Sequence, residues 1–256
     1  MTRVLVTGAS SGIGAATALA FARTGNTVAL CARREERMAA VLDECREHAP
    51  ASCMVVADLS RLAELDRVAQ RVVDALGGVD VLVNNAGVPK RRRTYALTSD
   101  DVEEVMAINY FSPVRLTLAL LPAMLQRGSG DIVNVSSMGA HMISWGTSAY
   151  AATKGALELF TEALYLELAP RGVRAHLVVP GTTRTEFSTE REGNDPPMTN
   201  PADSTAPDVV AAAIVACIDD DRFVTYATEK DATTAAGKAA DPNAFLARMR
   251  DAVAGR

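Results

Sequence analysis

The chain has 256 residues, 48% of them hydrophobic, and a formal charge of −5. That is apolar enough to bury a sizeable core and carries the wrong sign of charge for nucleic acid or an anionic membrane as a main partner. The longest unbroken apolar run, Val209–Ile218, is ten residues, against the roughly twenty a membrane span needs. Strand-like sequence begins at Arg3, where a signal peptide would stand. Cys31, Cys45, Cys53 and Cys217 have neither C-x-x-C nor zinc spacing, so they read as small core residues in a reducing cytoplasm, with no metal site.

In chain order, Arg3–Thr7 is a short apolar run with β-branched residues and predicts a buried strand. Gly8-Ala9-Ser10-Ser11-Gly12-Ile13-Gly14 then opens a helix-forming stretch, Ala15–Arg23. A strand, a glycine turn and a helix N-terminus together aim backbone N–H groups at a pyrophosphate. Gly8 permits the turn, Gly12 the close approach of backbone to phosphate, and Gly14 close helix–strand packing. The spacing is G-x-x-x-G-x-G rather than G-x-G-x-x-G.

Further buried strands are expected at Thr27–Cys31, Cys53–Ala57, Val79–Val83, Asp131–Ser136 and Val173–Val179, with helices at Arg34–Glu47, Arg61–Leu76, Asp100–Gln126 and Tyr150–Ala169. No linker, repeat or low-complexity tract divides them. Alternating strands and helices predict α/β architecture: one doubly wound domain over residues 1–256, with a parallel sheet covered by helices on both faces and its ligand crevice at the carboxyl ends of the strands.

Tyr150 and Lys154 are spaced i, i+4 on the helix expected from Tyr150 and so share a face. A lysine charge there lowers a tyrosine pKa that is about 10 unperturbed, giving a proton donor and acceptor near neutral pH. The same pair also fits a solvated helix face. Asn109 falls mid-helix, where asparagine usually meets solvent. Asp58 or Ser60 suits a helix N-cap, and Asn84-Asn85-Ala86-Gly87 suits a turn. Lys90-Arg91-Arg92-Arg93 reads either as a solvated basic loop or as capture of an anionic substrate handle: a carboxylate, a coenzyme A phosphate or an acyl carrier protein. Met138-Gly139-Ala140-His141-Met142-Ile143-Ser144-Trp145 reads either as an apolar substrate wall or as ordinary loop core, and His141 as a non-catalytic histidine. An amphipathic helix is expected at Pro242–Val253.

Thr7-Gly8-x-x-x-Gly12-Ile13-Gly14, Asp58, Asn84-Asn85-Ala86-Gly87, Asn109, Ser137, Tyr150-x-x-x-Lys154 and Pro180-Gly181-x-x-x-Thr185 stand in one order between Arg3 and about Phe223. In these motifs the chain resembles the short-chain dehydrogenase/reductase family, of the roughly 250-residue type. The resemblance implies a Rossmann fold, an NAD(P) cofactor and a catalytic set of Asn109, Ser137, Tyr150 and Lys154. Ser137 matches by its thirteen-residue spacing to Tyr150, which leaves Ser136 structural. Asn109 is assigned a kinked stretch whose backbone carbonyl holds a water bound to Lys154.

The implied cofactor contacts are Gly8, Ser10, Ser11, Gly12, Ile13 and Gly14 at the phosphates, and Asp58 and Leu59 at the adenine. Asn85, Ala86 and Gly87 meet the adenosine ribose, and Tyr150 and Lys154 the nicotinamide ribose. Pro180, Gly181, Thr183 and Thr185 fix the nicotinamide. Ala32 stands where NAD-preferring relatives carry Asp, and Arg33 follows with a guanidinium suited to a 2′-phosphate. Ser11 occupies the family's other basic position, so the expectation of NADP(H) rests on Arg33, with Arg34 read as an assistant or as a solvated residue.

The resemblance further implies hydride transfer between the nicotinamide and a ketone, aldehyde or secondary alcohol, most simply as a carbonyl reductase. The alternatives are an epimerase or dehydratase, or an NADP(H)-binding regulator without turnover. A substrate lid is expected at Glu186–Ala206. The C-terminal extension, residues 228–256, falls outside the resemblance. Apolar residues on the two long helices (Leu157, Phe160, Leu164, Tyr165, Leu168) exceed one core-facing stripe and predict association, and the resemblance implies that these helices form the dimer face of a homotetramer, or a homodimer.

Overall fold

A computed structural model describes residues 1–189, 192–196 and 203–254. The lid expected at 186–206 therefore lies partly outside the described residues, at 190–191 and 197–202, as do the last two residues of the C-terminal extension. Seven parallel strands form one sheet in the order β3-β2-β1-β4-β5-β6-β7. They are β1 (Arg3–Thr7), β2 (Thr27–Ala32), β3 (Cys53–Val56), β4 (Val81–Asn84), β5 (Gly130–Val135), β6 (Val173–Val179) and β7 (Val224–Tyr226). The order reverses between β1 and β4, and a doubly wound sheet opens its crevice at such a switch point.

Strand periodicity sorts the core. Val4, Val6, Val28, Leu30, Val133 and Val135 face one side, with α1 (Gly12–Arg23), α2 (Glu35–His48) and α8 (Pro207–Asp219) packed on them. Leu5, Ala29, Cys31, Leu82 and Ile132 face the other, under α3 (Leu65–Leu76), α5 (Ser112–Arg127) and α7 (Ser148–Leu168). Each large apolar side chain buried this way contributes about 1.5–3 kcal/mol. All four cysteines are unpaired, and burial raises the Cys31 and Cys217 thiols to about 12 and Cys45 to about 11. They serve as packing, not reagents.

The helix expected at Asp100–Gln126 has three parts. α4 (Ser99–Met106) starts on a capping box at Thr98, a π-helical segment spans Ala107–Phe111, and α5 carries on past Pro113 and Pro122. The whole stretch Ser99–Arg127 is long and apolar enough, by length and composition, to cross a membrane, although charged and polar residues interrupt it. Here its Leu116, Leu120 and Met124 pack into the sheet core.

Three corrections concern the helical surface and the chain's last quarter. Leu157, Leu164 and Leu168, expected on an association face, are buried in this chain's own core, whereas Tyr165, tilted against Phe223, stays exposed as expected. Leu118, Leu159 and Leu166 are instead the exposed leucines of α5 and α7. Strand β7 was not anticipated, because three residues beside an Ala-rich helix carry almost no pattern. α6 (Met138–His141), α9 (Glu229–Ala240) and α10 (Pro242–Ala254) complete the fold, the last at the expected place.

Candidate active site

The strand ends open into a cavity of about 1280 Å³. Gly8, Ser10, Ser11, Gly12 and Ile13 line it after β1, Arg33 after β2, and Asp58 and Leu59 after β3. Asn85, Ala86 and Gly87 follow from β4, Ser137 from β5, Tyr150 and Lys154 from α7, and Pro180, Gly181, Thr183 and Thr185 from the segment after β6. Gly14 lies beneath the loop, packed against the Gly8 carbonyl, and Asn109 lies behind the wall, fully buried.

The glycine loop fits a pyrophosphate. Gly12 has a φ of +55°, and a Cβ there would stand 2.8 Å from Cγ2 of Thr185. Only a bare backbone leaves this cradle open below the Pro-Gly segment. Thr7 ties the β4 loop to the glycine loop: its hydroxyl accepts from the amides of Asn85 (3.0 Å) and Ala86 (3.1 Å).

At the adenosine end, Asp58 caps no helix. Its carboxylate accepts from the amide and hydroxyl of Ser60 (3.0 and 2.8 Å) and lies 3.9 Å from Arg33. Burial works to raise its pKa, but those hydrogen bonds and the Arg33 and Arg61 charges lower it on balance. Arg34, read from the sequence as an assistant to Arg33 or as a solvated residue, stands beside it. Arg34 donates to the hydroxyls of Ser10 (3.0 Å) and Ser11 (2.6 Å), and both guanidinium groups line the cavity. Glu186 closes this corner, pairing with Arg34 at 2.5 Å and with Arg37.

The catalytic candidates sit where three elements meet. A buried polar ladder fixes α7 to the sheet: Asn84 donates to Asn134 Oδ1 (2.8 Å), and Asn134 donates to Thr161 Oγ1 (2.8 Å). Asn109 in the π-helical segment uses its side chain. Its Oδ1 accepts from Val88 N (2.8 Å), and its Nδ2 donates to Val88 O and Thr153 Oγ1 (3.0 and 3.1 Å). Thr153 in turn donates to the Tyr150 carbonyl at 2.7 Å. Asn109 thus clamps the β4 loop to the turn of α7 that carries Tyr150 and Lys154, an arrangement sequence reasoning did not contain. Asn134, Thr153 and Thr161 left no signal beyond being polar residues at core-facing positions.

Tyr150 and Ser137 meet across Gly139, where a Cβ would lie 3.1 Å from the Tyr150 ring and 3.3 Å from Ser137 Oγ, so only a glycine lets the two side chains come together. The Gly139 amide donates to Ser137 Oγ at 3.0 Å, which orients the hydroxyl. Phe187 covers the tyrosine, ring centroids 5.5 Å apart.

The expected depression of the Tyr150 pKa is absent. Burial pushes it up to about 12, offset only in part by Ser137. Lys154 is the more deeply buried of the two. Its Nζ donates to the Val135 carbonyl at 2.8 Å, and burial lowers it to about 8 against the upward pull of Glu158. Desolvation therefore outweighs the pairing from which the depression was argued.

Glu158 is a further residue missed. It accepts from Ser136 at 2.5 Å and lies 3.2 Å from His141 Nε2, without hydrogen-bond alignment. Ser136, read from its spacing as structural, holds this carboxylate through its hydroxyl.

The basic run is mostly engaged. Lys90 reaches Asp101 at 2.5 Å and Arg92 reaches the same carboxylate at 3.0 Å. Arg91 donates to the Phe187, Thr189 and Asp195 carbonyls. Neither a solvated loop nor a four-cation anion trap describes it.

Residues 2–195 match the short chain dehydrogenase family model. A Drosophila melanogaster protein described as dehydrogenase/reductase SDR family protein 7-like is 36% identical over 227 residues, 84% of this chain and 69% of that one. The chain spans between 60% and 71% of the length of this and the three next curated relatives. Among solved structures, a short-chain dehydrogenase from Streptomyces avermitilis superposes with a TM-score of 0.82 at 34% identity, covering 99% of this chain and 97% of that one. A short-chain dehydrogenase from Sphingobium yanoikuyae in complex with NADPH superposes with a TM-score of 0.80 at 33% identity, covering 95% and 96%.

Proposed function

The chain belongs to the short-chain dehydrogenase/reductase family, and from that premise we propose that it is an NADP(H)-dependent carbonyl reductase, or the matching secondary-alcohol dehydrogenase. The observation that carries the reading is the meeting of Ser137 and Tyr150 across Gly139, with buried Lys154 lining the same cavity as the glycine cradle. Supporting NADP(H) over NAD(H) are Arg33 and Arg34 after β2, with Ala32 where a carboxylate would repel a 2′-phosphate.

When bound, the cofactor supplies the hydride. The chain supplies the proton and the polarisation. Ser137 Oγ, oriented by the Gly139 amide, donates to the carbonyl oxygen and stabilises the charge that develops there. Tyr150 O–H delivers the proton to the same oxygen. With a pKa of about 12 it is fully protonated at neutral pH, the form a reductase needs. Lys154 adds a positive charge beside the forming phenolate, and Glu158 keeps that lysine protonated. Phe187 packs against the Tyr150 ring on the cavity side. Oxidation runs the same proton path in reverse.

The free cysteines support a cytoplasmic setting. The exposed leucines of α5 and α7 support association of two or four copies.

The test is NADPH and NADH oxidation across a panel of ketones and aldehydes, with wild type and Tyr150→Phe. Wild type is expected to consume NADPH with at least one carbonyl compound. The variant is expected to bind NADPH normally and lose about two decades or more of kcat, the size of a general-acid contribution. Turnover within a few-fold of wild type removes Tyr150 from the mechanism.

A further inference from the structure

Three of the four cations in Lys90–Arg93 have partners that account for them. Lys90 and Arg92 share Asp101, and Arg91 holds lid carbonyls. Arg93 differs. Its guanidinium carbon lies 3.1 Å above the Trp145 ring, the group lines the active-site cavity, and no carboxylate among the described residues pairs with it. A planar guanidinium on an aromatic face keeps its edge N–H donors free for an anion, and it is pre-organised by the stack.

The surroundings are apolar. Met142, Ile143 and Trp145 from the loop before α7, Phe187 over Tyr150, and Leu246 and Met249 from α10 line the same cavity. The C-terminal extension thus contributes to the site, although the family motifs end before it. Among the described residues α10 brings one cation there, Arg250, which is paired with its own neighbour Asp251 at 2.9 Å. An apolar chamber with one unpaired, half-buried cation on its rim favours a ligand that is mostly hydrocarbon and ends in an anion.

We propose that Arg93 on Trp145 is the subsite for an anionic group, carboxylate or phosphate, carried by an otherwise apolar carbonyl substrate. This rests on the carbonyl-reductase reading and specifies its substrate class.

The probes are benzoyl-alkanoates of increasing chain length, each with its methyl ester and with a phosphate monoester of matching length. They are titrated by calorimetry into enzyme saturated with NADPH, so that the adenosine-end arginines are occupied. At one chain length or more, the anion is expected to bind about tenfold tighter than the ester, the lower end for a hydrogen bond to a charged group at a half-exposed site. Arg93→Gln is expected to abolish that preference and Arg93→Lys to restore part of it. Arg171→Gln, which removes a charge at an exposed turn before β6, is expected to leave it intact. A stronger preference for carboxylate or for phosphate names the natural anion, and either supports the subsite.

Equal binding of anions and esters at every length overturns the proposal, as does a preference that survives Arg93→Gln. NADPH oxidation in the same samples is a separate readout. Its absence with acid and ester alike speaks against the carbonyl-reductase reading, while the binding ratio still decides on Arg93.

Discussion

Two arginine-rich runs border one crevice and differ in what holds their charges. At the adenosine end, Arg34 and Arg37 lean on Glu186, whose side chain is 42% exposed and belongs to the lid. On the substrate side, Lys90 and Arg92 converge on Asp101, 11% exposed and itself the reciprocal partner in the capping box of α4. A counter-ion in water is cheaply exchanged for a stronger anion, whereas a buried one shared by two cations is part of the fold. Similar letters therefore give an available site in one place and a structural lock in the other. Arg93 is the exception within the locked run.

The largest effect that sharpens this contrast is on stability. Asp101→Ala leaves buried Lys90 only the more distant Glu104 at 3.7 Å and removes the reciprocal half of the α4 capping box, and is expected to lower the melting temperature by about 5 °C or more. Glu186→Ala is expected to leave it nearly unchanged. Equal melting temperatures for the two variants would break the comparison.

The acid limb gives a second, smaller test. The Lys90 hydrogen bond holds the Asp101 carboxyl well below the usual carboxylate range. Its pairing is then fully present above the unfolded carboxylate pKa and is lost as pH falls through the depressed folded one. Asp101→Asn is expected to flatten the fall in stability on acidification, read by thermal melts across acidic pH. An unchanged limb would mean that other carboxylates dominate.

The smallest effect lies at the latch. Because Arg34 must leave Glu186 to serve a phosphate, Glu186→Gln is expected to tighten NADPH binding about two- to fivefold, the scale of an exposed ion pair. Weaker NADPH binding would instead make Glu186 a supporting residue.

These differences also mark how far the sequence could be read. The sheet was legible because its strands are near-continuous apolar runs between helical patterns, and the crevice because glycine turns and Asn-Asn-Ala-Gly fall at strand ends. The roles of Asn109, Glu158 and Thr153 were not. Each is set by a partner at least twenty residues away or by the π-helical segment that turns Asn109 inward. The direction of the Tyr150 pKa was misjudged for a related reason. Helical spacing places the lysine near the phenol, but burial of both is a property of the assembled fold. Likewise, no local pattern distinguishes Arg33 and Arg34 from Lys90 and Arg92. That depends on where their carboxylates sit.

The most direct test is a fluorescence titration of NADPH and NADH into wild type, Arg33→Ala, Arg34→Ala and Ala32→Asp/Arg33→Ala. Wild type is expected to prefer NADPH. Each single arginine loss is expected to weaken NADPH by about tenfold to a hundredfold while leaving NADH nearly unaffected, and the added carboxylate to shift preference further toward NADH. A wild type that already prefers NADH, or arginine variants that weaken both cofactors equally, would contradict the assignment of these cations to a 2′-phosphate.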